Sequence, residues 1–125
     1  MKLAESGWDE AVILDVAHLS GFTGGDPDFE SHILGIFVDN APGYLQALAS
    51  IEEDGWKTTA HKLKGAARSI GAWNLARAAE RAEKMPSPAV DAVGRHQILK
   101  ILNDRMKNLL LFVENHKKQL LAKPL

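Results

Sequence analysis

The sequence predicts an all-α protein, an antiparallel up-down-up-down four-helix bundle with a short additional helix at its N-terminus. Apolar residues recur with the 3.6-residue period of amphipathic helices, whereas the alternating β-branched and aromatic runs that are typical of strands are absent. Glycine and proline cluster between the long periodic segments. Short joints between amphipathic helices favour antiparallel neighbours, as in a bundle.

The length and composition of the chain indicate one domain, residues 1–125, with its core between about residues 14 and 120. With 46% hydrophobic and 25% charged residues, the composition is that of a globular soluble protein. The longest apolar run, LLLFV at 109–113, is much shorter than the about 20 residues that a membrane helix needs. The acidic start lacks the pattern of a signal peptide, and cysteine is absent, so we expect a cytoplasmic protein that binds no membrane.

The first two helices are predicted on either side of a glycine-rich turn. The segment LDVAHLS at 14–20 fits a short helix, which GFTGG at 21–25 ends. Asp26 then offers an N-cap carboxylate, and Pro27 suits the first helical position. The helix that follows runs to about residue 52, and Pro42 should kink it. Its apolar face is formed by Ile33, Ile36, Phe37, Tyr44, Leu45 and Leu48.

Three further helices are predicted in the rest of the chain. After the turn EEDG at 52–55, a helix runs to about residue 70, where Gly71 suits the left-handed conformation that closes a helix. An alanine-rich helix follows over about 73–85, and its apolar side is formed by Leu75, Ala78, Ala79 and Ala82. After the PSP turn, Ser87 can cap the last helix and Pro88 can open it. The apolar face of that helix is formed by Ile98, Ile101, Leu109, Phe112 and Leu120.

The net charge of −1 conceals an uneven distribution along the chain. Residues 1–56 carry one basic and eleven acidic side chains, residues 57–84 carry seven and two, and residues 85–125 carry seven and three. The positive charge of the middle segment suits an anionic protein surface or a phosphate group. A nucleic-acid-binding domain is usually basic overall, so the acidic first half argues against nucleic acid as a partner.

The stretch TTAHKLKGAARSIGAWNL at 58–75 sets a histidine among cations. At about 100° per residue, the buried side of this helix collects Trp56, Leu63, Ala66, Ala67 and Ile70, and His61 lies opposite. Within about 60° of His61 lie Lys57, Lys64, Gly65 and Arg68. Glycine costs about 1 kcal/mol relative to alanine inside a helix, so its place on the polar side indicates an approach from outside. An inert histidine on a solvated basic face is the alternative interpretation.

The segment HKLKGAARSIGAWNL resembles the H-x-L-K-G-x-x-x-x-x-G-x-x-x-L signature of histidine-containing phosphotransfer (HPt) domains. Several fixed positions within one helix-turn-helix make the match specific. The segment LDVAHLSGFTGGDPDFESHILGIFVDNAP is similar to the usual lead-in of these domains. The resemblance therefore covers nearly the whole chain, with residues 86–125 the least distinctive part.

The resemblance implies that His61 accepts a phosphoryl group on Nε2 from a receiver-domain aspartate and passes it to another receiver domain. Lys64 would meet the phosphoryl oxygens, since phosphoryl transfer depends on positioning and charge stabilisation. Gly65 would leave room for the phosphoryl group and the incoming receiver loop. Glu83 stands 22 residues after the histidine, where the family often has Gln or Glu. It would accept the Nδ1 proton and fix the tautomer, although surface ion pairs are an alternative role.

The partners that the resemblance implies are receiver domains of response regulators or hybrid histidine kinases. The chain itself should bind no cofactor, and Mg²⁺ is expected on the receiver. We expect Trp56 and Ala60 to give partial apolar contact around a basic stripe that includes Lys57 and Arg68. Arg68 departs from the small residue common in the family, and it either restricts access or contacts a receiver's acidic face. Four helices can bury the core without a second chain, so a monomer is expected.

Other chemistries fit the sequence less well. None of the five histidines has a glutamate three residues earlier, as the Glu-x-x-His motif of di-iron bundles requires. A dimeric sensor-kinase helix would show an acid and a proline after its histidine, whereas Lys62 follows His61 here. The phosphate-binding patterns GxxxxGK[ST] and GxGxxG are absent, so no ATP site or kinase activity is expected. The remaining alternative is a non-catalytic helical adaptor that binds receivers or other regulatory proteins without carrying phosphate.

Overall fold

The computed structural model describes residues 6–50, 55–86 and 90–122. Within these residues lie five helices and no strand: α1 (Val16–Thr23), α2 (Pro27–Ser50), α3 (Trp56–Ile70), α4 (Trp73–Lys84) and α5 (Ala92–Leu121). Each of α2, α3 and α4 packs against the next helix, α5 packs back on α2, and α1 rests on α2 and α3. The predicted all-α bundle with a short first helix is therefore confirmed. None of the described helices is both long and apolar enough to cross a bilayer.

The start of α2 follows the capping residues that the sequence offers. Pro27 is its first residue, as predicted. The Asp26 carboxylate accepts hydrogen bonds from the backbone N–H groups of Asp28 and Phe29, at 3.0 and 3.3 Å. These bonds satisfy donors that the first helical turn leaves without partners. Pro42 lies inside α2, which continues to Ser50, and the kink expected there stays a prediction.

Left-handed glycines close α1 and α3. Gly71 has φ 80° and ends α3 directly after Ile70, as predicted. The first helix, however, lies further along the chain than the predicted 14–20. The Asp15 side chain accepts a hydrogen bond from the His18 N–H at 3.0 Å, so Asp15 is the N-cap rather than an interior residue. The helix then continues to Thr23, and Gly24, with φ 66°, ends it.

The start of α5 also differs from the prediction. Ser87 and Pro88, expected to cap and open this helix, lie outside the described residues. In the structure α5 begins at Ala92, and the Asp91 carboxylate accepts a hydrogen bond from the Gly94 N–H at 2.8 Å. An aspartate cap does the same work as the predicted serine, because its oxygen satisfies an N–H group of the first turn.

The core runs along the axis of the bundle, and the four apolar residues predicted for α4 are all buried in it. On α5 the prediction was wrong for Ile101 and Phe112, which are exposed. The buried face of α5 consists instead of Ile98, Leu102, Met106, Leu109 and Val113. Ile36 of α2, also expected in the core, is 47% exposed. Both helices carry apolar residues on more than one side, so their period alone does not fix which side is buried.

Residues 6–15, which we call the N-terminal strap, form a non-helical segment with one turn, and it packs on α4. Trp8 stacks on Trp73 with ring centroids 6.0 Å apart. Glu10 pairs with Arg81 of α4 and with Arg105 of α5, so one carboxylate joins the strap to two helices. The hydrogen bond from Arg81 holds the pKa of Glu10 below its ordinary value. The strap thus fastens the α4 and α5 sides of the bundle together.

Candidate functional site

The α3–α4 hairpin brings the candidate site residues together. The two helices pack against each other, and both carry fully buried alanines, among them Ala60, Ala67, Ala76 and Ala79. The turn at Gly71 reverses the chain, so a residue near the start of α3 meets one near the end of α4. His61 and Glu83 occupy such positions, and they meet on the outer edge of the hairpin.

Glu83 contacts both His61 and Lys64. Its Oε1 lies 2.8 Å from His61 Nδ1, and its Oε2 lies 2.6 Å from Lys64 Nζ. Burial raises the pKa of the Glu83 carboxyl, but the hydrogen bonds from Lys64 and His61 outweigh that effect, so this pKa lies below its ordinary value. An ionised carboxylate only accepts hydrogen bonds, so Nδ1 is assigned as the donor. In the neutral imidazole this tautomer leaves the lone pair on Nε2.

The surface beside His61 is open. The His61 side chain is 65% exposed, on the side of α3 that the helix wheel predicts. A Cβ atom built at Gly65 would meet no other atom within 4 Å, so nothing inside the described fold requires a glycine there. Lys64 is much less exposed than His61, because its ammonium group is drawn onto Glu83. The arrangement can present one imidazole nitrogen to a molecule approaching from outside.

Two further cations of α3 lie within about 60° of His61 around the helix axis. Lys57 precedes His61 by one turn, Arg68 follows it by two turns, and both are exposed. Within the described residues neither has an ion pair or a hydrogen bond from its side chain. Since Lys64 is paired, these two side chains carry the unneutralised positive charge that the sequence indicated around His61.

Trp56 and Ala60, predicted to contact a partner, are buried instead. Trp56 is 2% exposed, and its indole N–H donates a hydrogen bond to the Ala82 carbonyl at 2.8 Å. The Arg95 guanidinium also lies over its ring, 5.9 Å from the centroid. Ala60 is fully buried in the close contact between α3 and α4. A helix wheel divides one helix into sides, but the neighbouring helix covers both residues.

An exposed apolar patch that sequence reasoning missed lies on the α1–α2 side of α3. Its large members are Phe22, Phe29 and Ile36, and the two phenylalanine rings lie 6.4 Å apart. Phe22 and Ile36 also line a cavity of about 280 Å³ between α2 and α3. Phe22 falls in the turn predicted at 21–25, and Phe29 lies in the first turn of α2. Aromatic residues at such positions are the sequence signal that could have indicated an exposed apolar patch. The patch is an exposed apolar surface, which the buried Trp56 and Ala60 do not form.

The sequence matches the model of the Hpt domain family over residues 32–112, which is more than half of the chain. The matched segment contains all of α3 and α4, and with them His61, Lys64, Gly65 and Glu83. No curated protein and no solved structure matches the chain. Hpt domains act in phosphotransfer within two-component relays and interact with receiver domains. This chain belongs to the Hpt domain family.

Proposed function

We propose that this chain is a phosphorelay intermediate, which accepts a phosphoryl group on His61 Nε2 from a receiver-domain aspartate and passes it to a second receiver domain. The observation that carries the proposal is the exposed imidazole whose Nδ1 contacts Glu83 at 2.8 Å. Such a ring has one nitrogen held by the protein and the other available to a partner. Membership of the Hpt domain family supports the same assignment.

The transfer needs no base to remove a proton. The Nε2 lone pair forms a bond to phosphorus while the P–O bond of the aspartyl phosphate breaks, and the receiver's carboxylate leaves with the electron pair. The Nδ1 proton stays in its hydrogen bond to Glu83, where the carboxylate offsets the positive charge that develops on the ring. In the second transfer an aspartate oxygen attacks phosphorus, and Nε2 leaves with the electron pair as a neutral imidazole.

Lys64 has two acceptors within reach in this scheme. Its ammonium group pairs with Glu83 before transfer, and a lysine side chain is flexible enough to turn toward a phosphoryl group one turn away on the same helix. We propose that Lys64 first helps to hold Glu83 ionised and then shares its charge with the phosphoryl oxygens. No kinase activity is required of the chain, because the receiver supplies the activated phosphoryl group.

A receiver domain would dock across His61 and Gly65 toward the apolar patch of Phe22, Phe29 and Ile36. Ser69 lines the same cavity as Phe22 and Ile36, and Gly65 lies between Ser69 and His61 on the helix wheel, so the proposed docking surface runs from His61 to the patch. Lys57 and Arg68 would steer a carboxylate-rich receiver face toward the histidine. The Mg²⁺ of the reaction would stay on the receiver. One copy of the chain presents this whole surface, so we propose that it acts as a monomer.

Incubation of the full chain with a receiver domain carrying a labelled aspartyl phosphate tests the proposal. The expected result is acid-labile, base-stable label on the chain, followed by its transfer to a second, unlabelled receiver. Incubation with labelled ATP alone is the control, and it should leave the chain unlabelled. Stable binding of the phosphorylated receiver without any label on the chain would overturn the proposal in favour of the adaptor.

A further inference from the structure

An open groove runs between α2 and α5. Two adjoining cavities of about 500 and 420 Å³ form it, and Leu110 and Glu114 line both. Its floor includes the buried side chains of Leu45 and Val113, while Leu111 at its edge is 54% exposed. The part of α5 that lines the groove, from Asn103 to Lys118, is about 22 Å long at 1.5 Å per residue.

The rim of this groove is positively charged. Three lysines, Lys107, Lys117 and Lys118, stand there against one acid, Glu114, which pairs with Lys118 at 3.6 Å. In the part of the chain that the structure describes, Lys107 and Lys117 have no ion pair. The α2 wall adds the uncharged Gln46. An apolar floor with a cationic rim is complementary to an apolar surface flanked by carboxylates.

On the other side of α5, where it packs against α4, the N-terminal strap covers the surface of the bundle. There the N-terminal strap lies on α4 and places the Glu10 carboxylate between Arg81 and Arg105. The Trp8 ring supplies the apolar contact by stacking on Trp73. The bundle therefore already binds one segment that combines an apolar side chain with a carboxylate placed between two cations.

We propose that the α2–α5 groove binds an amphipathic helix of a partner protein whose apolar face is flanked by acidic residues. A groove between two packed helices accepts a third helix, and about 22 Å accommodates roughly 15 helical residues. Among the described residues α3 packs against α1, α2 and α4, and α5 reaches it through the Arg95 guanidinium over Trp56 rather than by helix packing, so the groove lies across the bundle from the edge that carries His61. The acidic helix and a receiver domain can therefore occupy the chain at the same time.

Two designed helical peptides of about 15 residues test this, with the same leucine pattern and either glutamates or lysines beside it. Titrated into the full ¹⁵N-labelled chain, the glutamate peptide should shift amide resonances of α2 and α5, and the lysine peptide should bind at least about tenfold more weakly. The double variant Lys107→Glu/Lys117→Glu should weaken the glutamate peptide by about tenfold or more. Lys62→Glu/Lys84→Glu, an equal change of net charge on α3 and α4, should change its affinity by less than about twofold.

Several results would overturn the proposal. These are equal binding of both peptides, no binding of either, shifts confined to α3, or full affinity in the Lys107→Glu/Lys117→Glu variant. A dimer of the wild-type chain that Leu111→Glu dissociates would assign the groove to a second copy of the chain instead. Labelling of His61 by a phosphorylated receiver should not change when the glutamate peptide is bound. That measurement separates failure of the groove from failure of the phosphorelay function.

Discussion

Two histidine–glutamate pairs join helices in the part of the chain that the structure describes. His61 of α3 meets Glu83 of α4 through Nδ1 at 2.8 Å, and His116 of α5 meets Glu30 of α2 through Nε2 at 3.1 Å. The first imidazole is 65% exposed, whereas the second is 12% exposed. The same pair of residue types therefore occurs once at an exposed edge of the bundle and once in its interior.

The surroundings of the pairs decide what each can do. At the outer pair the carboxylate holds Nδ1, Nε2 is left to solvent, and Gly65 keeps the adjacent surface clear. At the inner pair the carboxylate holds Nε2 itself, and the Phe112 ring stacks on the imidazole, 6.5 Å between centroids. Under the proposed function an imidazole–carboxylate contact is not enough, because phosphoryl transfer also requires an accessible Nε2.

The sharpest test of this difference replaces one histidine at a time. His61→Gln should abolish labelling by a phosphorylated receiver, because glutamine has no nucleophilic nitrogen, while the bundle stays folded. His116→Gln is the matched control, since its amide can still donate a hydrogen bond to Glu30, and it should label at the parental rate. Label retained in His61→Gln but lost in His116→Gln would reverse the assignment. Circular dichroism shows whether both variants fold.

A larger side chain at Gly65 tests whether the open space beside the His61–Glu83 pair is needed for labelling. Gly65→Gln should lower the rate of labelling by about tenfold or more, because its side chain occupies the space that a receiver needs. Gly65→Ala adds one methyl group in open space and should stabilise the helix by up to about 1 kcal/mol. Urea unfolding measures that stability. A Gly65→Gln variant that labels as fast as the parent would show that clearance at this position is irrelevant.

Substitutions of Glu83 and Glu30 should separate an effect on phosphoryl transfer from an effect on the stability of the fold. Glu83→Ala should slow labelling by about ten- to a hundredfold, since a hydrogen bond to a charged group is worth roughly 1.5–3 kcal/mol. Glu83→Gln should restore part of the rate, because its amide oxygen can accept the hydrogen bond from Nδ1 but carries no charge to offset that of the ring. Glu30→Ala leaves a buried imidazole without its partner and should cost about 1–3 kcal/mol of unfolding free energy at an unchanged labelling rate. An equal loss of labelling rate in Glu83→Ala and Glu30→Ala would contradict the different roles assigned to the two pairs.

A smaller effect follows from the lowered pKa of Glu83. A carboxyl whose pKa is lower in the folded than in the unfolded state stabilises the fold above its unfolded pKa, and that contribution is lost as pH falls through the folded pKa. The difference in unfolding free energy between the parent and Glu83→Gln should therefore be largest near neutral pH and shrink in acid. Denaturant titrations at several pH values measure it. A difference that grows on acidification would contradict the assigned ionisation.

Much of this architecture could be predicted from the sequence. Asp26 and Pro27 start a helix and Gly71 ends one for local reasons that hold in any fold, and the alanines of α4 have a single apolar side. The pairing of His61 with Glu83 was expected through the resemblance, because no property of one helix places a residue of the next beside it. The engagement of Lys64 by Glu83 escaped prediction for the same reason.

The errors share one physical origin. The wheel already placed Trp56 on the buried side of α3, but it says nothing of how closely α4 approaches. Trp56 and Ala60 were therefore expected to stay partly accessible to a partner, whereas α4 and its neighbours cover them. On α5, Phe112 and Leu109 are both apolar, and only packing against α2 and α4 decides which of them is buried. The N-terminal strap has no periodicity, and its contacts are too distant in sequence for any local pattern to indicate them.

The N-terminal strap also bears on the order in which the chain folds. Glu10 reaches Arg105 across 95 residues, whereas His61 and Glu83 are 22 residues apart in one hairpin. The entropy lost in closing a loop grows with its length, so we expect the hairpin to form early and the strap to dock late. Pulsed hydrogen exchange during refolding should protect the amides of α3 before that of Asn74, which donates to the Val12 carbonyl. A chain still in the course of folding would then already hold its reactive imidazole in place.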